Sequence, residues 1–430
     1  MLLKFRFSNF RSFRTEQELS LIASRLAGSG DGLFSPPGLG EQVLPVAAIY
    51  GANASGKTAV IKAFEFMANA VKFSHSQWQP DQRIPVEPFA DDDPALPSEF
   101  SVDFLLDGIR HQYGFAANSQ AILREWLFVY PQRKKQVWFK RVEGAPISFG
   151  AKMPGENKVI ESLVRKNSLF LSAAAQNNHA VLSPVYGWFA QPTSFVIGHH
   201  GQIGRAAYGA HAARFCQEEA DRATIARLLT QADLGIADLS VEDAPLGEFS
   251  KRMFELILTR LPPGTSSPEV PEKHKVIRLL HHVGNRTVPF ELEQESSGTL
   301  AYLALLGPVV SLLKNGGILW VDELDASLHP LMAVQIIRLF SNPASNPRSA
   351  QLIFNTHDTN LLGSGDLRRD QIWFTEKDST GSSHLYPLTD FKPRRQENLE
   401  NGYLQGRYGA IPFIHPDYLT GNTGGNGEKT

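Results

Sequence analysis

The octapeptide GANASGKT, residues 51–58, limits the possible folds of this chain more than any other stretch. It fits the pattern G-x-x-x-x-G-K-[ST], in which backbone N–H groups cradle phosphates at the start of a helix. The short apolar run PVAAIY precedes it, and the helical pattern TAVIKAFEFMANAVKF follows it. A buried strand, a glycine-rich turn and a packed helix form the first unit of an α/β fold. An accidental match is less favoured because both flanking elements are present.

This loop predicts how a nucleoside triphosphate and its metal ion are held. Lys57 would reach the β- and γ-phosphates of ATP, and the hydroxyl of Thr58 would ligate Mg²⁺. The predicted nucleotide-binding residues of the loop are Gly51, Ala52, Asn53, Ala54, Ser55, Gly56, Lys57 and Thr58.

Hydrolysis needs further groups, and a second stretch offers them. ILWVDE, residues 318–323, is an apolar strand that ends in two carboxylates. Asp322 is placed to hold Mg²⁺ through water, and Glu323 could orient or deprotonate the attacking water. Acidic residues that cap the next helix would give the same pattern. The phosphate loop upstream favours the catalytic interpretation.

A histidine follows another apolar strand in NTHDTNLL, residues 355–362. The carboxyl ends of the strands in an open α/β sheet form the usual ligand edge. His357 could therefore contact the γ-phosphate as a sensor. Most isolated histidines are structural, but the two other motifs favour the sensor role.

Composition excludes several other classes of protein. The net charge of −2 over 430 residues gives no general argument for a nucleic-acid or membrane partner. The single cysteine, Cys216, excludes an intrachain disulfide and a Cys-cluster zinc site, and we expect it to be buried. Basic residues interrupt the apolar N-terminus, so no signal peptide is expected, and the apolar run 300–313 is too short to span a bilayer. We therefore expect a cytoplasmic protein.

Periodicity predicts an α/β P-loop NTPase fold with a mixed sheet, an antiparallel β subdomain and an inserted helical lobe. LLKFRFSNFRSF alternates like an opening strand, Asp107-Gly108 suits a tight hairpin turn, and REWLFVYPQRKKQVWFKR suits a second antiparallel pair. The pattern is helical over about 159–258, and 261–273 is a Pro/Ser-rich connector. The predicted divisions are 1–100 for the N-terminal half of the ATPase core, 101–150 for the antiparallel subdomain, 151–260 for the helical insertion, 274–415 for the C-terminal half of the core and 416–430 for a disordered tail.

The order GANASGKT, ESSGT, ILWVDELDASLHP and NTHD resembles the ABC-type ATPase heads of SMC, RecF and OLD-like proteins. The resemblance is strongest to stand-alone abortive-infection ATPases, the RloA/AbiLi-like group found with bacterial defence and restriction loci. Supporting stretches include FSNFRSF, EWLFVYP, NSLFLSAAAQNN and LQGRYGAIPF, so the resemblance covers most of the chain. The ATPase motifs are specific to the superfamily, and the flanking stretches indicate the subgroup less strictly.

The resemblance implies a second set of nucleotide contacts. ESSGT stands where the ABC signature does, with Ser296 and Gly298 matching its serine and second glycine and Ser297 replacing the first glycine. In such proteins the signature of one subunit contacts the γ-phosphate held by the other. A homodimer, or a higher homo-oligomer, would therefore enclose its ATP molecules between subunits.

Other positions follow from the same resemblance. DASLHP, residues 325–330, matches the D-loop that passes between the two sites, and His357 matches the switch histidine. The predicted catalytic residues are then Glu323, His357 and Lys57, with Thr58 and Asp322 at the metal. No glutamine of a glutamine loop can be assigned from spacing.

Three functions are compatible with these motifs. The resemblance favours an ATP-hydrolysing sensor or regulator of a separately encoded effector in antiphage, or abortive-infection, defence. The alternative is a DNA-repair or chromosome-maintenance ATPase that clamps DNA, which the near-neutral charge and the lack of a coiled-coil pattern weaken. A self-contained nuclease toxin is least favoured because no nuclease motif is recognised.

Basic stretches and histidine pairs are weaker indications of nucleic-acid or metal binding. QRKKQVWFKR, residues 132–141, and KPRR, residues 392–395, could contact nucleic acid, but solvated charge at a hairpin edge explains them better. His199-His200 and His281-His282 lack carboxylates at ligand spacing, so metal binding there is not favoured.

Overall fold

The structure, a computed structural model, describes residues 1–25, 32–90, 93, 95–190, 193–196, 212–232, 234–245, 251–252, 273–394 and 396–412. Three sequence predictions lie outside the described residues: the tail 416–430, nearly all of the connector 261–273 and the pair His199-His200.

The described residues form both strands and α-helices. The strands are β1 (Leu2–Ser8), β2 (Gln17–Ser20), β3 (Val46–Gly51), β4 (Ser98–Leu106), β5 (Ile109–Ala117), β6 (Ile122–Tyr130), β7 (Gln136–Val142), β8 (Ser148–Phe149), β9 (Thr193–Val196), β10 (Ile236–Pro245), β11 (Lys273–Val283), β12 (Arg286–Glu291), β13 (Ile318–Val321), β14 (Gln351–Asn355), β15 (Ile372–Lys377) and β16 (Ser383–Pro387). The helices are α1 (Lys57–Phe73), α2 (Asn157–Leu163), α3 (Phe170–Gln176), α4 (Leu182–Ala190), α5 (Glu219–Gln231), α6 (Ser297–Asn315), α7 (Pro330–Ser341), α8 (Asn360–Gly363) and α9 (Leu399–Leu404).

A six-stranded central sheet has the order β16-β15-β3-β14-β13-β9. Its strands are parallel except for β16, which pairs antiparallel with β15. The runs predicted to be short buried strands form its middle, and every residue of β3, β13 and β14 is buried. The predicted α/β fold with a mixed sheet is confirmed.

A second, antiparallel sheet has the order β2-β1-β4-β5-β6-β7-β8. Asp107 and Gly108, with φ of 50° and 74°, form the predicted tight turn between β4 and β5. The sheet also includes β1 and β2, which come from the segment expected to belong to the ATPase core, because Phe5 of β1 pairs with Val102 of β4.

Alternation along the central strands divides the side chains between two cores. Successive residues of a strand point to opposite faces of its sheet. Ile49 packs in the core shared with α1 and the antiparallel sheet, whereas Tyr50 packs in the core with α6 and α7. Phe64 of α1 stacks on Trp320 of β13 with their ring centroids 4.7 Å apart, so the phosphate-loop helix is fixed against the central sheet.

The stretch 159–258, predicted to be helical, is only partly so. Helices α3 to α5 and most of α2 lie in it, but β9 and β10 are strands, which corrects the prediction for these residues. β9 extends the central sheet beside β13, and β10 pairs with β11 in a three-stranded sheet of order β10-β11-β12. Apolar spacing alone suited a helix there, but long-range strand partners determined the backbone conformation.

Within the described residues, α6 is the single helix whose length and composition would allow it to cross a membrane. It is longer than the apolar run 300–313, yet 72% of its most apolar window is buried inside the protein. Cys216 is also buried, as predicted.

Candidate nucleotide site

Three neighbouring strands of the central sheet carry the predicted motifs at one edge. β3 leads into the loop 51–58, β13 leads into Asp322 and Glu323, and β14 leads into Thr356 and His357. Because these strands are parallel and β14 lies between β3 and β13, their carboxyl ends are adjacent. This is the edge at which open α/β sheets bind their ligands.

Close packing requires two of the glycines in the loop. Gly51 and Gly56 have φ of 155° and 115°, values that residues with a side chain rarely adopt. A β-carbon on Gly51 would lie 2.5 Å from the carbonyl oxygen of Thr375, and one on Gly56 would lie 2.9 Å from the ring of Phe13. The hydroxyls of Ser55 and Thr375 are 2.6 Å apart, so β15 fixes the loop from its side.

Lys57, the first residue of α1, is buried inside the loop. Its ammonium donates to the carbonyl oxygens of Gly51 at 2.8 Å and Ala52 at 2.9 Å. Burial lowers the pKa of Lys57 to about 8, although the carboxylates of Asp322 and Glu323 oppose the shift. The cation is therefore held where phosphate oxygens could replace the loop carbonyls as its partners.

Thr58 and Asp322 join the loop to the end of β13. The Thr58 hydroxyl donates to Oδ1 of Asp322 at 2.9 Å. Hydroxyl and carboxylate oxygens are ligands that Mg²⁺ prefers, so this pair fits the predicted metal role. Among the described residues, no group of three or more His, Cys, Asp or Glu side chains could hold a metal ion. Phosphate oxygens and water would have to complete the coordination of Mg²⁺.

Glu323 adopts a left-handed backbone conformation, with φ of 57°. Its backbone N–H donates to Oδ1 of Asn355 at 2.5 Å, and the next N–H, that of Leu324, donates to the Asn355 carbonyl oxygen at 3.0 Å. The Asn355 amide also donates to Oδ1 of Asp322. One buried side chain thus holds both acidic residues at the end of β13.

His357 is exposed at the end of the β14 segment and lies beside the D-loop match. Its backbone N–H donates to both carboxylate oxygens of Asp325, each at 3.2 Å. Partial burial of the ring and the nearby charge of Lys57 lower the pKa of His357. In its neutral form the imidazole can donate one hydrogen bond and accept another.

The stretch ESSGT caps the N-terminus of α6. Ser296 is the N-cap, and its hydroxyl oxygen accepts from the Thr299 N–H at 3.1 Å. Ser296 and Ser297 are exposed. A β-carbon on Gly298 would lie 2.7 Å from the carbonyl oxygen of Ser327, so the match to the signature packs against the match to the D-loop of the same chain.

The structure thus brings the loop, Asp322, Glu323 and His357 together at one sheet edge. None of the hydrogen bonds described joins Ser296, Ser297 or Gly298 to that edge; they form a separate cap at the start of α6. Sequence reasoning missed the role of Asn355, although the residue stands in the quoted stretch NTHD. The sequence does carry a signal for this role, because an amide side chain at the end of a buried strand needs hydrogen-bond partners.

Comparisons with known proteins agree with this geometry at the level of the family. Residues 46–363 match the family described as "AAA domain, putative AbiEii toxin, Type IV TA system". No curated protein matches the chain.

Solved structures similar to this chain include SMC head domains. The SMC head domain from Thermotoga maritima aligns with a TM-score of 0.40 at 13% identity, covering 90% of this chain and 98% of that chain. An Smc head domain with an extended coiled coil, bound to the C-terminal domain of ScpA and derived from Pyrococcus furiosus, aligns with a TM-score of 0.37 at 14% identity, covering 90% and 97%. At these TM-scores the likeness supports no further conclusion.

The mostly parallel sheet, the glycine-rich loop at the start of α1 and the acidic strand end beside it are the features of the P-loop ATPase class. The chain belongs to the AAA-domain family whose description names a putative AbiEii toxin. The predicted relation to abortive-infection ATPases is therefore confirmed.

Proposed function

We propose that this protein binds and hydrolyses ATP with Mg²⁺, dimerises around the nucleotide and regulates a separately encoded effector in antiphage defence in the bacterial cytoplasm. The hydrogen bond between Thr58 and Asp322 carries the proposal. It joins the two residues predicted to bind Mg²⁺, and the Asp322 carboxylate acts on the pKa of the buried Lys57 ammonium. ATP hydrolysis requires both kinds of group at the transferred phosphate.

Each group at the edge has one task in this proposal. Backbone N–H groups of residues 51–58 and the Lys57 ammonium bind the β- and γ-phosphates. Thr58 and Asp322 hold Mg²⁺, which neutralises phosphate charge when it is bound. Glu323 orients or deprotonates the attacking water, and His357 contacts the γ-phosphate as a sensor.

Dimerisation rests on the exposed cap of α6. The N-terminus of a helix favours anions because its first N–H groups lack partners within the helix and its dipole is positive there. Ser296 and Ser297 are exposed at that terminus. In the proposed dimer they contact the γ-phosphate bound by the partner chain, so ATP binds the closed pair better than the open monomers.

The defence role rests on the family and on the order of motifs. The family description names a putative AbiEii toxin of a type IV toxin–antitoxin system, and such systems pair two components. The order P-loop, ESSGT, acidic strand end and NTHD resembles ATPases found with defence loci. The proposed effector is the product of a neighbouring gene.

Phosphate release and molecular mass in solution test the ATPase part of the proposal. Wild-type protein should release phosphate only with Mg²⁺, and Lys57→Ala should lose ATP binding. Glu323→Gln should bind ATP, hydrolyse it slowly and double its mass by light scattering when ATP is added. Normal turnover by Lys57→Ala would refute the assignment of the phosphate site.

A phage challenge tests the defence part separately. Cells that express this chain with its neighbouring gene should plate phage less efficiently than cells that carry Lys57→Ala with the same neighbour. Equal plating by both, with the ATPase activity intact, would refute the defence role while leaving the ATPase assignment standing.

A further inference from the structure

Asn355 occupies the position between the phosphate-loop strand and the acidic strand. It is the last residue of β14, which lies between β3 and β13, and its side chain is completely buried. Its Nδ2 donates to Oδ1 of Asp322, and its Oδ1 accepts from the Glu323 N–H at 2.5 Å. The two ends of one amide therefore bind two successive residues.

This geometry requires a side chain with both a donor and an acceptor. A carboxylate offers only acceptors, and an aliphatic side chain offers neither. The donor side matters because Oδ1 of Asp322 is an acceptor that already receives the Thr58 hydroxyl at 2.9 Å. Both donors reach the same oxygen, so together they fix the rotation of the Asp322 carboxylate.

The acceptor side controls the backbone of Glu323. The backbone φ of that residue is 57°, a value that residues other than glycine rarely adopt. Hydrogen bonds from the N–H groups of Glu323 and Leu324 to Asn355 hold this turn in place. The direction in which the Glu323 side chain leaves the backbone therefore depends on Asn355.

We propose that Asn355 is a positioning residue that sets the metal-binding carboxylate and the water-orienting carboxylate relative to each other. The inference rests on the proposed function, in which Asp322 holds Mg²⁺ and Glu323 acts on water. Asn355 itself touches neither the nucleotide nor the reacting atoms in this assignment. Its effect on turnover passes through the two acidic residues.

The substitution Asn355→Asp tests this role because it preserves the shape and removes the donor. The introduced carboxylate turns an acceptor instead of a donor toward Oδ1 of Asp322. The kcat should therefore fall by about 100-fold with little change in the KM for ATP.

Asn346→Asp is the matched control. Asn346 is also buried and uses its amide in three hydrogen bonds, with Phe340 and Ala350, away from the site. It should lose thermal stability as Asn355→Asp does, yet keep wild-type kcat. A kcat loss in Asn355→Asp no larger than that of the control would overturn the proposal.

A second readout separates this proposal from the proposed function. The Mg²⁺ concentration for half-maximal binding of a fluorescent ATP analogue should rise at least about tenfold in Asn355→Leu, because the Asp322 carboxylate loses its fixed orientation. If wild-type protein released no phosphate, hydrolysis would be refuted, but this Mg²⁺ requirement would still decide the role of Asn355. An unchanged Mg²⁺ requirement would overturn it.

Discussion

Gly298 and Ser327 lie so close that a β-carbon on the glycine would be 2.7 Å from the carbonyl oxygen of the serine. Gly298 is in the first turn of α6, and Ser327 is in the turn between β13 and α7. The obstacle is backbone rather than a flexible side chain, so one segment must move if the glycine is replaced. The cap that is proposed to bind the partner's ATP is thus tied to the turn that follows Glu323.

Gly298→Ala should therefore impair hydrolysis more than nucleotide binding. Overpacking against a backbone should lower the free energy of unfolding by about 1–3 kcal/mol. Displacement of the α6 cap should reduce ATP turnover at least about tenfold, while the Kd for ATP stays near the wild-type value because the phosphate loop is unchanged. Phosphate release, ATP titration and thermal unfolding measure the three quantities.

Gly187→Ala is the control for that substitution. Gly187 lies in α4, and a β-carbon there would meet no atom within 4 Å. Alanine should be neutral or stabilise by up to about 1 kcal/mol, without loss of turnover. Wild-type turnover in Gly298→Ala would contradict the link between the cap and the turn.

The affinity for ATP should fall as the pH rises through 8. Burial lowers the pKa of Lys57 to about 8 in the free protein, and bound phosphates should raise it, since negative charge favours the ammonium. The charged form binds, and its share falls above pH 8. The Kd for ATP should therefore increase by up to about tenfold per pH unit above 8, and binding there should take up a proton.

Titrations between pH 7 and 9.5 test this dependence, and calorimetry in two buffers of different ionisation enthalpy measures the proton uptake. AMP lacks the β- and γ-phosphates that Lys57 is proposed to contact, so its weak binding should take up no proton near pH 8. A Kd for ATP that is constant over this range would show that Lys57 is not the titrating group at the phosphates.

Local motifs were predictable from sequence because their geometry depends on neighbouring residues. The loop 51–58 is bounded by a strand and a helix that apolar periodicity indicates, and the acidic residues Asp322 and Glu323 directly follow a buried strand. The roles of Asn355 and Thr375 could not be derived in this way. They depend on β14 and β15 flanking β3, and strand order is not encoded in the spacing of any one segment.

Strands that depend on distant partners were also missed. β9 has four residues, and its place beside β13 follows from pairing with a segment more than 100 residues away. β10 was assigned to a helix because its apolar residues suit either period over a short window. The segment is a strand because it pairs with β11 along its length.

The rate at which Cys216, the single cysteine, is modified measures how often the protein opens around this residue. Cys216 is buried, and burial raises the pKa of its thiol to about 11. Only about one thiol in a thousand is then ionised at pH 8, so iodoacetamide should modify the native protein at least about 100-fold more slowly than it modifies the protein in urea. Intact mass measures the rate, and rapid modification of the native protein would contradict this burial.

Mixing two inactive variants tests whether the site is shared between chains. Ser296→Arg should bind ATP as a monomer but block hydrolysis, and Lys57→Ala should not bind ATP. In a mixed dimer, the intact loop of one chain would meet the intact cap of the other. Random mixing makes half of the dimers mixed, each with one complete site, so about a quarter of wild-type turnover should return.

The pairing of Lys57→Ala with Glu323→Gln is the control for this mixture. The structure places Lys57 and Glu323 at the same sheet edge of one chain, where the carboxylate acts on the pKa of the ammonium. Every site in that mixture would therefore lack one of the two groups, and turnover should stay at the level of the separate variants. Recovery in the control, or none with Ser296→Arg, would show that the α6 cap does not act on the partner's nucleotide.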